Sequence, residues 1–259
     1  MHFIFFMQIP KGKKIFFASD FHLGIPNKAD SLIREKIICD WLDSIKDEAY
    51  KIYLLGDIFD VWFEYKRAVP KGYVRFLGKL AALRDADIPI EIFTGNHDLW
   101  MKDYFTEELN IPIHFDALKV NYNNKKFFLA HGDGLGPGDR KYKFLKKVMT
   151  NPIAQRLYKS LHPNIGLGLA TYFSQRGVKH QGNLDGDYKG EDKEWLILFS
   201  KEVLKTEYFD YFIFGHRHLA MTLPLPNNSL YVNLGDWINY FSYGVFDGES
   251  FSLKYFKKQ

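Results

Sequence analysis

Short apolar runs alternate with longer amphipathic stretches along most of this chain, and this pattern predicts its secondary structure. Runs rich in Phe, Ile, Leu and Tyr lead, in turn, to Asp20, Asp57, Asn96, His131 and His216. Short runs of this composition are typical of strands that are buried on one or both faces. The pattern therefore predicts five strands, each followed directly by a polar residue.

Stretches with helical periodicity lie between several of these strands, at residues 29–49, 72–86 and 191–207. Near the C terminus, residues 229–256 alternate between apolar and polar and turn at Asp247-Gly248, a dipeptide that favours a tight hairpin. Strands mixed with crossover helices and followed by a β-rich end predict an α/β layered sandwich.

Composition limits the class of protein. The chain has 259 residues, which suits one large α/β domain, and its hydrophobic fraction of 46 % argues against disorder. A net charge of +4 does not identify a partner. The single cysteine, Cys39, excludes an internal disulfide and favours a reducing compartment. Because we find neither a signal-peptide pattern nor an apolar stretch long enough to span a bilayer, we expect a cytoplasmic protein that can touch a membrane surface.

Side chains of the metal-binding type stand at the ends of the predicted strands. They are Asp20, His22, Asp57, Asn96, His131, His216 and His218. Taken alone, each is more often an ordinary turn or surface residue. Five strand ends that all carry such residues are hard to obtain from turn chemistry. Since ligands of open α/β sheets bind at the carboxyl ends of the strands, we expect these side chains to converge.

The residue types indicate which metals would suit such a site. Carboxylate, carboxamide and imidazole ligands without thiolate fit Mn, Fe or catalytic Zn. Seven ligands exceed the needs of one tetrahedral ion, and they suit two ions about 3.5–4 Å apart that share a carboxylate. Alternate residues of an extended backbone point to one side, so His216 and His218 can each bind one of two neighbouring ions.

The segments "SDFHLG", "LLGDIFD", "TGNHDLW", "AHGD" and "FGHRH" resemble, in order, the motifs of the calcineurin-like metallophosphoesterases. The resemblance implies a four-layer α/β/β/α sandwich with a dinuclear site. It implies one ion held by Asp20, His22 and His218, a second held by Asn96, His131 and His216, and a bridging Asp57. It further implies that His97 stabilises or protonates the leaving oxygen and that Asp98 orients His97.

Residues 136–181, which we name the lid segment, differ in charge from the rest of the chain. They contain nine Lys and Arg residues against one acidic residue, Asp139, interleaved with Leu, Ile, Phe and Tyr. We expect a basic amphipathic helical insert within a single domain, 1–259. Such an insert is typical of a membrane-surface or acyl-chain-binding element. There are two alternatives. The insert can be an ordinary helical subdomain with a solvated basic face, or it can bind nucleic acid, and its apolar content argues against nucleic acid.

The segment "HGDGLGPGDRKY" followed by this insert resembles the UDP-2,3-diacylglucosamine pyrophosphohydrolases of lipid A biosynthesis. The resemblance implies cleavage of a diacylated UDP-sugar to UMP and an acylated sugar 1-phosphate, usually with manganese, at the inner-membrane surface. It implies a lid that covers the acyl chains. Substrate contacts are then expected from Asn96, Asp139, Arg140, Arg176 and Lys179.

Position 97 distinguishes this chain from the best-known branch of those enzymes, which has Arg where this chain has His97. The exact branch therefore stays open. Two other functions remain as alternatives: a metallophosphoesterase acting on another nucleotide or on nucleic acid, and a non-enzymatic scaffold. The complete ligand set argues against the scaffold. We expect no nucleic acid as a partner, and the sequence indicates no obligate protein partner.

Overall fold

The computed structural model describes residues 6–138, 140–181 and 187–256, with their side chains except at positions 6, 141 and 175–181. The first half of the chain forms β1 (Phe6–Met7), β2 (Lys14–Ala18), α1 (Lys28–Ile45), β3 (Ala49–Leu55), α2 (Val74–Asp85), β4 (Ile90–Phe93), α3 (Tyr104–Leu109), β5 (Ile113–His114), β6 (Leu118–Tyr122) and β7 (Lys125–Leu129). The second half forms α4 (Arg140–Met149), α5 (Pro152–Lys159), α6 (Pro163–Gln181), α7 (Trp195–Val203), β8 (Tyr211–Phe214), β9 (Ala220–Pro224), β10 (Leu230–Leu234), β11 (Ser242–Phe246) and β12 (Phe251–Tyr255).

The strands form two sheets that stack face to face. One sheet has the order β12-β11-β2-β3-β4-β5, and the other has the order β1-β6-β7-β8-β10-β9. In the first sheet, β2, β3, β4 and β5 run parallel, and in the second sheet β7, β8 and β10 run parallel. Parallel neighbouring strands have their carboxyl ends at the same edge of the sheet. The predicted site residues directly follow these strand ends.

Apolar cores between successive layers hold the sandwich together. One core joins α1 and α2 to the first sheet and includes Trp41 and Leu80. A second core lies between the two sheets, and a third, which includes Leu196 and Phe212, lies between the second sheet and α7. This layering confirms the predicted four-layer α/β/β/α sandwich.

The apolar run in β2 shows why a strand that is buried on both faces carries no polar alternation. Phe16 and Ala18 face the helical layer, whereas Ile15 and Phe17 face the other sheet. Because successive side chains of a strand point to opposite faces and both faces are buried, every position has to be apolar.

Local signals explain where several elements begin and end. Asn27 caps α1, since its side chain accepts hydrogen bonds from the backbone of Ala29 and Asp30 at 2.9 and 3.0 Å. The predicted hairpin at Asp247 joins β11 to β12. A second hairpin, β6–β7, was not predicted. It turns at Asn123 and Asn124, which both adopt left-handed backbone conformations, with φ of 49° and 62°.

The lid segment is helical and contains α4, α5 and α6. Many of its apolar side chains face solvent, including Phe144, Ile153, Leu157 and Phe173, which are 66–71 % exposed. Within the described ranges, no helix is both long enough and apolar enough to cross a bilayer.

Candidate metal centre

The predicted ligands come together at the carboxyl edge of both sheets and form two adjoining clusters. The first cluster contains Asp20, His22 and His218. Nε2 of His22 lies 3.0 Å from Nε2 of His218, which in turn lies 3.2 Å from Oδ1 of Asp20. Both Asp20 and His22 are buried. The candidate ligand atoms of these three residues all lie within 4.8 Å of one another.

The second cluster contains Asn96, His131 and His216. Oδ1 of Asn96 lies 3.2 Å from Nε2 of His131 and 2.9 Å from Nδ1 of His216. Asp57 lies between the two clusters. Its Oδ2 is 3.7 Å from Nε2 of His22 and 3.4 Å from Nε2 of His131. The carboxylate is therefore close to a ligand atom of each cluster.

The spacing of the donors fits divalent metal ions. Two ligands at right angles on one ion, with bonds of about 2.1 Å, lie about 3 Å apart. The distances between the donor atoms in both clusters are 2.9–3.8 Å. Nδ1 of His131 lies 2.7 Å from the backbone oxygen of Leu55, to which it donates. This bond leaves Nε2 of His131 free to act as a ligand, which is the usual support for a metal-binding histidine.

Glycines in the loop motifs allow the close packing of the ligands. A Cβ atom on Gly56 would lie 2.6 Å from Nδ1 of His131, and one on Gly95 would lie 2.2 Å from Oδ1 of Asp57. A Cβ on Gly215 would lie 2.4 Å from Oδ2 of Asp20. Real Cβ atoms essentially never approach other atoms this closely. The glycines directly before Asp57, Asn96 and His216 are therefore required by space.

Several ligands stand on strained backbone. The left-handed conformations are at Asp20, His22, Asp57, His216 and His218, with φ of 44–66°. Such conformations in residues other than glycine cost of order 1–3 kcal/mol each and are concentrated at functional sites. The surrounding hydrogen bonds and packing hold this strain in place.

Neighbouring histidines keep the buried carboxylate of Asp57 ionised. Burial would raise the pKa of Asp57, but the neighbouring His131 and His97 outweigh it and hold that pKa well below its usual value. Burial would lower the pKa of His131, but the charge of Asp57 raises it to about 10. Burial and the charge of His131 together lower the pKa of His216 to about 4. Asp57 is therefore ionised at neutral pH, the state in which a carboxylate binds metal.

His97 lies at the edge of the first cluster. Its Nδ1 is 3.2 Å from Oδ1 of Asp60, and its ring stands nearly perpendicular to that of His22, with 4.8 Å between the ring centroids. Burial would lower the pKa of His97, but the charge of Asp57 and the hydrogen bond to Asp60 raise it to about 9. With Nδ1 directed at Asp60, Nε2 is the nitrogen that can donate to a substrate oxygen.

The structure corrects the expected role of Asp98 in orienting His97. The Asp98 carboxylate accepts hydrogen bonds from the backbone nitrogens of Gly95 and Ile58, at 2.7 and 2.8 Å. Asp98 is completely buried, and this burial raises its pKa to about 7. It therefore braces the loops that follow β3 and β4, while the carboxylate that orients His97 belongs to Asp60.

Sequence reasoning missed supporting residues of this site. Asp60 is the second acidic residue of "GDIFD", and it can be found by its spacing from Asp57. Asp236 follows β10 in the same Leu-Gly-Asp sequence as Asp57 follows β3, and its Oδ2 lies 3.6 Å from Nδ1 of His218. Arg217 forms a buried pair with Glu194 at 2.9 Å and so fixes the turn between the histidines.

The lid segment is anchored beside the second cluster. Asp133 lies 2.6 Å from Nζ of Lys146 and accepts a hydrogen bond from the Tyr142 hydroxyl at 2.5 Å. The indole nitrogen of Trp100 donates to the backbone oxygen of Met149 at 2.7 Å. These contacts hold α4 over the edge where the ligands meet.

A cavity of about 70 Å³ opens next to His131. Its wall combines the aromatic rings of Phe93 and Phe115 with the polar side chains of Thr94 and Lys146. Because it adjoins the second cluster, it extends the space available to a ligand held there.

The remaining predicted substrate contacts are described only in part. Arg140 begins α4 and is exposed. Arg176 and Lys179 belong to α6, but their side chains lie outside the described set. Asp139 lies outside the described residues altogether. Contacts between these four residues and a substrate therefore stay predictions.

Comparison with known sequences decides the family. The family described as Calcineurin-like phosphoesterase matches residues 13–220, a range that includes every predicted metal ligand. The chain belongs to this family. It is accordingly a metal-dependent hydrolase of phosphoric esters, and the resemblance on which this prediction was based is confirmed.

Two named relatives and one solved structure are each similar to most of this chain. UDP-2,3-diacylglucosamine hydrolase of Porphyromonas gingivalis (strain ATCC BAA-308 / W83) is 42 % identical over 253 residues, which cover 93 % of this chain and 97 % of that protein. The protein of the same name from Shewanella sp. (strain W3-18-1) is 27 % identical over 221 residues, which cover 85 % of this chain and 88 % of the relative. Yfce, a phosphoesterase from E. coli of known structure, is 18 % identical with a TM-score of 0.47, over 94 % of this chain and 93 % of that one.

Proposed function

We propose that this protein hydrolyses the diphosphate of UDP-2,3-diacylglucosamine and releases UMP and 2,3-diacylglucosamine 1-phosphate, as a step of lipid A biosynthesis. The observation that carries the proposal is the 42 % identity to the Porphyromonas hydrolase over nearly the whole of both chains. That match leaves out only 7 % of this chain (100 − 93), so it includes most of the lid segment as well as the metal centre.

The proposed cofactors are two divalent ions, manganese in the first place, with iron or zinc also suited to the ligands. Asp20, His22 and His218 would hold one ion, Asn96, His131 and His216 would hold the other, and Asp57 would bridge them. When bound, such a pair neutralises phosphate charge and lowers the pKa of water so that hydroxide is available at neutral pH.

The side chains of the protein orient the substrate and support the departing group. Hydrolysis breaks one P–O bond of the diphosphate bridge and leaves a water oxygen on phosphorus. His97, held through Nδ1 by Asp60, donates from Nε2 to the bridging oxygen as negative charge develops there. Further contacts to the substrate are proposed for Asn96, Asp139, Arg140, Arg176 and Lys179.

The lid segment supports a substrate with acyl chains. Its exposed Phe144, Ile153, Leu157 and Phe173 offer apolar surface beside the metal centre, and α4 carries basic residues next to them. Burying a methylene group contributes about 0.8 kcal/mol, so two acyl chains gain much more from this surface than a water-soluble nucleotide does. We further propose that the protein is a single domain with an inserted lid. The same apolar and basic surface supports the proposal that this protein is cytoplasmic and associates peripherally with the inner membrane.

Product analysis tests the substrate. Purified protein with Mn²⁺ is incubated separately with UDP-2,3-diacylglucosamine, UDP-N-acetylglucosamine and single-stranded DNA, and the products are identified by mass spectrometry. We expect UMP and the acylated sugar 1-phosphate from the first compound, and less than a hundredth of that rate from the other two. Efficient cleavage of DNA or of the unacylated sugar nucleotide would contradict the proposal.

Two substitutions test the lid surface. Phe144→Ser and Leu157→Ser should raise the KM for the diacylated substrate at least tenfold and leave hydrolysis of bis-p-nitrophenyl phosphate unchanged. Both side chains are about 70 % exposed, so little stability should be lost. Val74→Ser on α2 is the matched control, because Val74 is 74 % exposed and lies outside the lid segment. Equal losses on both substrates would reduce the lid segment to structural support.

A further inference from the structure

A hydroxyl group of the lid segment contacts Asp60, the residue that orients His97. Oγ of Ser174, on α6, donates to Oδ1 of Asp60 at 2.7 Å. The same carboxylate oxygen is 3.2 Å from Nδ1 of His97, and the hydroxyl itself lies 3.5 Å from that nitrogen. Three residues that are far apart in the sequence therefore meet at one oxygen atom.

Asp60 is suited to transmit the position of this hydroxyl. It is 3 % exposed, and its backbone oxygen is also close to Nδ1 of His97, at 3.1 Å. A carboxylate oxygen has two lone pairs, and here the hydroxyl of Ser174 and the ring of His97 each approach the same oxygen. Removing a donor from a buried carboxylate leaves it undersatisfied, so it turns to find another partner and takes the histidine with it.

The lid segment is held in a way that permits movement. No residue of α5 is fully buried. Tyr158 packs its ring against Phe63 and Trp100, with centroids 4.9 and 4.6 Å apart, and α6 next to the site presents exposed Tyr172 and Phe173. Elements with few buried apolar side chains open at low free energy.

We propose that Ser174 is a positioning residue that couples the seating of the lid segment to the orientation of His97, through Asp60. With α6 seated, the hydroxyl fixes Oδ1 of Asp60, this oxygen holds Nδ1 of His97, and Nε2 points at the leaving oxygen. When α6 lifts to admit or release a substrate, the hydroxyl departs and the imidazole loses part of its support. The proposal rests on the proposed function in that the lid segment covers the substrate.

Kinetics of three variants test the coupling. Ser174→Ala should lower kcat for UDP-2,3-diacylglucosamine about tenfold, equivalent to ~1.4 kcal/mol, with KM changed less than twofold. Ser174→Thr keeps a hydroxyl and should restore kcat. Thr171→Ala is the matched control, because the Thr171 hydroxyl, one turn earlier on α6, donates only to the backbone of Leu167 in the described contacts, at 2.9 Å. A loss in KM alone, an equal loss in the control, or no rescue by threonine would overturn the proposal.

A second readout does not depend on the identity of the substrate. In zinc-loaded protein labelled with ¹⁵N-histidine, the His97 signals are assigned by their disappearance in His97→Gln. Ser174→Ala should shift the Nδ1 resonance of His97, and Thr171→Ala should leave it in place. If the wild-type protein fails to cleave the diacylated substrate, the proposed function is wrong, while this spectrum still decides the role of Ser174. An unshifted resonance would overturn that role.

Discussion

Replacing Gly95 by alanine should disable the metal centre while the protein stays folded. Gly95 precedes Asn96, and a Cβ at this position would lie 2.2 Å from Oδ1 of Asp57 and 2.6 Å from its backbone nitrogen. Since non-bonded heavy atoms rarely approach within about 3 Å, either Asp57 or the loop after β4 has to move by roughly 1 Å. Both alternatives displace a proposed ligand.

The size of the effect follows from the position of Asp57. Its Oδ2 lies 3.7 Å from His22 and 3.4 Å from His131, so one movement weakens both clusters. A misplacement of about 1 Å can lower a rate ~10²-fold. We therefore expect kcat/KM of Gly95→Ala to fall at least 100-fold, which corresponds to ~2.7 kcal/mol of transition-state stabilisation, together with a lower bound-metal content.

The assay compares Gly95→Ala with Gly78→Ala. Gly78 lies in α2, and a Cβ there would meet nothing within 4 Å, so this control should gain about 0.5–1 kcal/mol of stability and keep full activity. Hydrolysis of bis-p-nitrophenyl phosphate, elemental metal analysis and thermal unfolding are measured for both variants. More than one third of wild-type activity in Gly95→Ala would refute the reasoning, because the close contact to Asp57 would then be unimportant.

His97→Ala should lower kcat about 10²–10⁴-fold, the usual contribution of an acid–base group, with metal content retained; a loss below tenfold, measured by steady-state kinetics, would make His97 structural. A pH effect is expected at Glu91, away from the site. Burial would raise its pKa, but hydrogen bonds from His114 at 2.7 Å and Lys51 at 2.6 Å lower it below the ordinary value of 4.5. The ionised carboxylate therefore stabilises the fold above about pH 4.5, and this contribution is lost as the pH falls. In denaturant titrations, Glu91→Gln should be roughly 1 kcal/mol less stable than wild type at pH 7 and equal to it near pH 3; equal stability at pH 7 would contradict this.

The sandwich, and the convergence of the seven side chains at its edge, could be predicted from the sequence, because both depend on a pattern that is local in the chain. A buried strand followed by a polar residue can be recognised without knowing where the strand lies, as Asp20, Asp57 and His131 show. The carboxyl ends of parallel strands then meet for geometric reasons. The order of the strands in the sheets then determines which of these side chains belong to the same cluster.

The orientation of His97 could not be predicted in the same way. Sequence proximity favours Asp98 as its partner, but Asp98 turns into the protein and binds the backbone of Gly95 and Ile58. The actual partner, Asp60, is reached only when the loops after β3 and β4 are side by side. The contact of Ser174 with Asp60 spans 114 positions in the chain and depends on where α6 lies. Such contacts are set by tertiary packing and leave no periodic signal.

Metal removal and replacement test the central claim most directly. Wild-type protein and Asp57→Ala are stripped with a chelator, reloaded with Mn²⁺, and measured for bound ions per chain and for release of UMP from UDP-2,3-diacylglucosamine. We predict two ions and full recovery of UMP release for wild type, no release from the stripped protein, and recovery of neither in Asp57→Ala, whose circular dichroism should match that of wild type. Release of UMP by the metal-free protein, or by Asp57→Ala at the wild-type rate, would contradict a metal-dependent hydrolase with a shared carboxylate.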